Sequence, residues 1–509
     1  MLDYRPDLDP RTPDMLRLLV DFVPTESGYR TAYAATTHTA HTYSLDADEA
    51  FPSVLFASRW LSTPGGIVIT GTNKKLNVYS FSNGFINVSK AGDYTLGGSS
   101  FQYGEDASAA FDICAFGDRI IATHKSVVPQ HRTALDLTSG TLFADLTGAP
   151  KANVCAVSRN FVFLGNLGST WGSTTTVVGA GDMVAWSGIG DYTDWSLNVT
   201  VTQSSYAIFN DTPGPITAIS EFRDGIVVFK GESMYQGRYV GPGANSPVWD
   251  FERISDKVGC LGPRSLTNID TALVFVGQDD IYLYDGTRPI SITRGIRSTL
   301  VANNQLTGAG TFAMQVGHDK PNKSVLFSTD VGNTTYVWSY LWDRWGALGN
   351  SDWVIHCNTN ADDFRAVTMS SVTAGAQSYS TATNHFNLYT LVIGPVSGTA
   401  RPMNRNTTRS TAGVMRTGVV GDPLKLQTLP RVNPIFITPP ASVATASLQL
   451  FAGRTLSTSS KGSKTMSSDY RFDLLGLAST DNYFNWQYSC SQDCEIVGFL
   501  PTLVPAGSR

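Results

Sequence analysis

Residues Arg253 to Arg297 read RISDKVGCLGPRSLTNIDTALVFVGQDDIYLYDGTRPISITRGIR. Two apolar runs, ALVFV from Ala272 to Val276 and IYLY from Ile281 to Tyr284, flank the break Gly277-Gln-Asp-Asp280. The runs are rich in β-branched and aromatic residues and the break holds turn formers, so the stretch predicts a hairpin. Asp285-Gly286 then turns the chain out of the second strand.

Looser copies of this unit recur. Gly66 to Thr70 precedes Leu76 to Phe81, and Asp118 to Thr123 follows. Asn160 to Leu164 is matched by Met183 to Trp186, and Gly225 to Phe229 by Ser233 to Tyr239. Beyond the central hairpin come Lys323 to Ser328 with Thr335 to Tyr340, then Arg365 to Met369 with Asn387 to Val392. The units start about 40 to 65 residues apart, the range for propeller blades of four strands. One such blade cannot bury both its faces alone, but radial packing against neighbours buries both and leaves no long edge open. The expectation is an all-β chain with a six-bladed β-propeller, seven blades being the alternative. Closure of the ring is expected to mix early and late strands.

The expected organisation has three parts. Residues 1–60 form an N-terminal arm. Within it Met15 to Val20 fits either a short helix with Pro13 at its start or an edge strand; Val20, Phe22 and Val23 favour the strand. Residues 61–395 form the propeller. Residues 396–509 form a small β-sandwich or sheet packed on it, because Pro434 to Thr438, Ala446 to Phe451, Tyr470 to Asp473 and Ile496 to Leu500 are strand-like, with half-buried alternation. Ser457 to Thr465 (STSSKGSKT) reads as a polar loop tip.

Composition bounds the function. Only 16% of the 509 residues are charged, below the usual quarter, while 42% are hydrophobic. The net charge of −5 argues against a protein that grips nucleic acid by releasing counterions. It is compatible with a wall past which DNA slides. No apolar run approaches the length of a membrane span, and the start MLDYRPDLDP is not a signal peptide, so synthesis in the cytosol is expected.

Motifs for chemistry are scarce. The cysteines Cys114, Cys155, Cys260, Cys357, Cys490 and Cys494 are scattered and read as buried reduced thiols. Cys490 and Cys494 are the one close pair, without the second pair or nearby histidines that a zinc site needs. His38 and His41 stand three apart in a loop, but no zinc-protease pattern, nucleophile elbow or phosphate loop is present. Asp279-Asp280, Asp362-Asp363 and Asp46-Ala-Asp48-Glu49 could serve a glycosidase, yet each lies in an expected turn where Asp bonds local backbone. Ser328-Thr-Asp330-Val-Gly332-Asn-Thr334 is close to the structural turn of sialidase-like propellers, though its Trp338 comes late. The aromatic run Trp338 to Trp345 could be a stacking platform; blade core is the simpler reading. No catalytic, cofactor-binding or metal-binding residue is assigned, and the chain is not expected to be an enzyme.

A resemblance adds to this. Gly259-Cys260, Pro263, Ser265, Leu273-Val-Phe275, Gly277, Ile281-Tyr282, Tyr284-Asp285-Gly286 and Pro289 together resemble the hub or nozzle proteins of short-tailed bacteriophages. These are the packaged-DNA stabilisation proteins and, more remotely, tail tubular protein B. Trp186-Ser187 with Asp191 and Trp195, Tyr336-Val-Trp338 with Arg344-Trp345, Tyr470 to Asp473 and Glu495 to Phe499 fit the same pattern. The resemblance covers roughly residues 65 to 505, and order and spacing carry it. It implies a homohexameric ring of propellers in the virion tail. The ring would sit below portal and adaptor and continue the channel for double-stranded DNA. It would retain the packaged genome, gate its ejection and carry tail fibres or spikes. A low-friction wall should hold few phosphate contacts, which suits this chain. Lys74, Lys75, Arg294 and Arg297 are the candidates for the channel or its rim. Two rivals remain: a tail propeller that binds or degrades glycans, and a cytosolic protein-binding scaffold.

Overall fold

The computed structural model describes residues 2–12, 15–32, 35–37, 43–44, 53–58, 67–71, 75–80, 84–90, 111–125, 127–133, 141–168, 170–171, 175–176, 180–242, 248–302, 314–319, 322–328, 334–349, 399–400, 403–405, 413–477 and 480–506. Among the described residues six sets of four antiparallel strands, each in chain order, occupy 53–87, 112–145, 152–208, 216–255, 266–291 and 315–349, the third interrupted by the small hairpin Thr170–Trp171 with Thr175–Thr176. They are blades 1 to 6 of an all-β propeller. The quoted hairpin forms as its sequence predicts: Leu273–Val276 pairs with Ile281–Tyr284 in the register Leu273↔Tyr284 to Val276↔Ile281. Asp285 Oδ1 then accepts the Thr287 amide at 3.0 Å, and Gly286 takes a φ of 101°.

Radial packing explains the unbroken apolar runs. Successive side chains of a strand point to opposite faces, so a strand between two neighbours must be apolar at every position. In blade 5, Val274 and Val276 join the core with Val316, Val325 and Phe327 of blade 6. Leu273 and Phe275 join Val227 and Phe229 of blade 4. Blade 4 turns Ile226 and Val228 the other way, onto Phe161 and Phe163 of blade 3. Blade 3 turns Val162 and Leu164 onto Ile121 of blade 2, whose Ile120 and Ala122 meet Ile69 and Val78 of blade 1. Edge-to-face aromatics fill the third seam, with Phe163 and Trp249 rings 5.0 Å apart at 84°.

The chain ends are not a separate arm. The span read as 1–60 is divided by the topology. Phe22–Pro24 and Tyr29–Thr31 continue blade 6 outward from Arg344–Gly349, followed by Glu495–Pro505, Gln427–Thr438 and Phe472–Asp473, to make a nine-stranded sheet. Asp3–Tyr4 and Met15–Val20 enter a seven-stranded sheet with Gly413–Thr417, Val420–Gly421, Tyr483–Cys490, Ala446–Gly453 and Ser459–Thr465. Ser53–Ser58 already belongs to blade 1. Met15–Val20 is thus a strand, as its β-favouring neighbours predict, and Ser459–Thr465 is an edge strand rather than a loop tip. Early and late strands do mix, but beside blade 6; each four-stranded set is made of consecutive chain.

The two large sheets pack face to face around one core, as in a sandwich. The Tyr488 ring lies 6.1 Å from Phe472 and 5.9 Å from Phe499, and Trp486 lies 5.9 Å from Phe499. Tyr29 locks this body to blade 6. Its buried hydroxyl donates to the Trp345 carbonyl at 2.9 Å and accepts the Tyr4 amide at 2.8 Å. The repeat expected at 365–392, the seventh unit, lies outside the described residues. Among the described residues, no helix is long and apolar enough to cross a membrane.

Candidate functional site: the propeller axis and its loop face

The first strand of each blade lies innermost, and side chains stitch neighbouring inner segments together. The Cys155 amide of blade 3 donates to Asp112 Oδ2 of blade 2 at 2.9 Å. Ser158 Oγ donates to the Gly225 carbonyl of blade 4 at 3.0 Å, and Asn268 Nδ2 of blade 5 to Glu221 of blade 4 at 2.8 Å. Ser265 Oγ reaches the Met314 carbonyl at the start of blade 6 at 2.7 Å. Before blade 5 the chain passes close to blade 4, and a side chain at Gly259 would place its first carbon 2.1 Å from the Lys230 carbonyl oxygen.

Inside this ring lies a cavity of about 190 Å³, bounded by the inner strands of blades 2 to 5. Asp112, Cys114, Cys155, Glu221, Thr267 and Asn268 line it. Asp112 is buried, and burial pushes its carboxyl up to about 6, against the pull of the Cys155 and Ile113 amides and the Arg264 charge. Arg264 stands opposite, in the 3-10 turn Pro263–Ser265 before blade 5. Burial brings its guanidinium down to about 10, with Asp112 acting the other way. Among the described residues none of its three nitrogens has a hydrogen-bond partner, and none is open to solvent. Blades 3 and 4 stand between blades 2 and 5, so these charges meet across the inner side of the propeller. The pair costs solvation free energy that its attraction only partly offsets.

The sequence-derived rim candidates lie elsewhere. In antiparallel blades the turns between second and third strands share an end with the connections from fourth strands to the next blade. Lys75, at such a turn in blade 1, is buried at 4% exposure. Lys74 lies outside the described residues. Arg294 is exposed, on the connection leaving blade 5. Arg297 is tied to the turn of the central hairpin, with Nε 3.1 Å from the Asp279 carbonyl and Nη2 3.3 Å from Asp279 Oδ2. The structure thus brings Arg294 and Arg297 together on one connection and leaves Lys75 on another blade.

The paired carboxylates that are described serve structure. Asp280 is buried and accepts from the Ile281 amide at 2.8 Å, from Ser291 Oγ at 2.7 Å and from Thr293 Oγ1. Asp362-Asp363, the acidic group at 46–49, His38 and His41 lie outside the described residues. Trp338 and Trp345 are buried cross-strand partners in blade 6, so the aromatic run is mainly core. Asp191 and Asp194 close local turns onto Thr193 and Ser196 between the buried Trp186 and Trp195. Cys490 and Cys494 are buried. No group of three or more metal-ligating side chains occurs among the described residues.

Sequence reasoning missed the axial residues Asp112 and Arg264; it read Cys114 and Cys155 as buried thiols, as they are, but not their place at the axis. Their strand neighbours are ordinary, and only Pro263 and Ser265 beside Arg264 carried a signal.

No protein-family model matches the chain, and no curated protein matches it. Solved structures do match. U3-55K shares 12% identity at a TM-score of 0.36, over 64% of this chain and 88% of that one. The β-propeller domain of Cps50 (Swd1) from Myceliophteria thermophila shares 10% at 0.39, over 76% and 99%. Hsv2 of Kluyveromyces lactis shares 8% at 0.28, over 59% and 98%. At these scores none of the likenesses bears on what this chain does.

Proposed function

We propose that the chain is a structural virion protein: the hub or nozzle of a short phage tail. In this reading six copies form a ring below portal and adaptor, continue the DNA channel, retain the packaged genome and gate its ejection. Tail fibres or spikes attach to the same assembly. The observation that carries the reading is the blade 5 motif. Its residues resemble the tail-hub pattern, and in the fold they build a complete four-stranded blade over 266–291 and the segment leading into it. Two further facts support it. The described carboxylate pair is consumed by turn bonding, which leaves no acid–base pair there for glycan cleavage. The buried charges Asp112 and Arg264 meet near the propeller axis, which suits a DNA path through the middle of a ring of copies rather than through one propeller. Arg294 and Arg297, on one loop face, are the side chains offered for a channel rim.

Native mass measurement of the purified protein, alone and mixed with portal–adaptor complexes, tests this. Rings of six in either state are expected. A monomer under every assembly condition, with no binding to tail parts, would overturn the reading. Turnover of a host polysaccharide would favour the glycan rival.

A further inference from the structure

Cys114 and Cys155 are far apart in the chain but stand on the inner strands of adjacent blades, Asp112–Phe116 and Ala152–Ser158. The Cys155 amide donates to Asp112 Oδ2 at 2.9 Å, which turns the Asp112 side chain towards blade 3. Cys114 is two positions further on, so strand periodicity puts its side chain on that same face. The Cys155 thiol points the other way, donating to the Ile121 carbonyl of blade 2 at 3.9 Å. Both thiols lie in one apolar cluster between the two blades, and both are free. Both also line the axial cavity of about 190 Å³, whose wall includes the exposed Glu221, so a small reagent can enter from solvent.

We propose that Cys114 and Cys155 are a dithiol modification site, closed to a cross-blade disulfide by a low-molecular-weight disulfide that enters the axial cavity. The step is thiol–disulfide exchange. One cysteine thiolate attacks a sulfur of the reagent RSSR, its S–S bond breaks, and one RSH leaves with the protein's proton. The second thiolate then displaces the remaining RS group, which leaves as a second RSH. The protein is oxidised by two electrons and loses two hydrogens; the reagent is reduced by the same amount. Among the described residues, Asp112, Glu221 and Arg264 are the charged groups around the pair. Burial pushes the Cys155 thiol up, and the Cys114 thiol and the Asp112 charge add to this. Exchange is therefore slow at neutral pH and quickens as pH rises. The product would weld blades 2 and 3 at the axis. None of this rests on the tail-hub reading.

The pair that looks closest in the sequence is built differently. The Cys490 thiol donates to the Gln492 carbonyl at 3.4 Å, while Cys494 faces the Tyr488 hydroxyl at 3.6 Å.

The test treats the native full-length protein with 2-hydroxyethyl disulfide at neutral and at alkaline pH, blocks remaining thiols, and maps a non-reducing tryptic digest by mass spectrometry. The expected result is a cross-link joining the peptide Ala152–Arg159 to the peptide that ends at Arg119, with the mass of two hydrogens lost and faster formation at the higher pH. Cys114→Ser should leave Cys155 able to form only a mixed adduct with the reagent; Cys155→Ala should do the same for Cys114. Because the unmodified sequence gives the decisive measurement, a variant that fails to fold does not blunt it. Stable mixed adducts on both cysteines without a cross-link would overturn the proposal. So would a cross-link joining other cysteines, or two thiols that stay free.

Discussion

Blades 5 and 6 are neighbours with nearly the same core chemistry, yet they are completed differently. Blade 5 is finished within residues 266–291, by strands joined through short turns. Blade 6 has its own four strands, but its outer edge is taken up by Phe22–Pro24, and the sheet then runs on through both chain ends. The first design closes short loops and depends on local turn chemistry. The second depends on contacts between residues hundreds of positions apart, such as Tyr29 with Trp345. Such contacts form only after long loops have closed, so the junction should be where the fold is most easily separated.

The largest test of that contrast compares one buried aromatic from each region. Tyr29→Ala at the junction and Phe229→Ala between blades 4 and 5 both remove fully buried rings, and each should cost about 3–5 kcal/mol. Urea unfolding should show an early separate transition for Tyr29→Ala only, as the chain-end sheets come away from the blades. A single coincident transition for both variants would break the comparison. Tyr29→Phe, which keeps the ring but orphans the buried Tyr4 amide, should cost about 1–3 kcal/mol.

The axis gives a second test, because there the blades are tied across the ring rather than side by side. Asp112 titrates at about 6 in the folded protein against 3.8 for an ordinary aspartate. The folded state therefore holds this proton more tightly than the unfolded chain. Its contribution to stability is full below pH 3.8 and is lost as pH rises through 6. That loss is about 3 kcal/mol. Asp112→Asn should flatten this slope in urea unfolding measured at about pH 4 and about pH 7, as the proton linkage requires. An unchanged slope would show that another group carries it.

The smallest effect is expected on the loop face. Arg294 is exposed, and Arg294→Glu should change stability by less than about 0.5 kcal/mol. Any larger change in thermal unfolding would mean that this side chain is part of the junction rather than a free rim.

The sequence showed most where one strand reports on its own surroundings. Val274 to Val276 and Gly225 to Phe229 are apolar at every position, which is the mark of strands with a neighbour on each face, and the turns between them are spelled out by Gly277, Asp279 and Asp285. The C-terminal alternation likewise announced sheets with a buried side, as the inward Leu448 and Leu450 bear out. The candidate site was far less visible. Lys75 looks like a surface lysine in its turn and is buried; Arg297 looks free and is held by Asp279. Asp112 carries no local mark, and Arg264 only that of the Pro263 and Ser265 beside it.

By itself, then, the amino-acid order determined strands, turns and their repetition, because hydrophobic period and turn chemistry act within a few residues. Only the tertiary structure decided what meets what. It set Asp112 against Arg264, put Cys114 beside Cys155, and threaded both chain ends onto blade 6. Those outcomes depend on how blades pack around an axis, and that geometry leaves no trace in the spacing of residues along the chain.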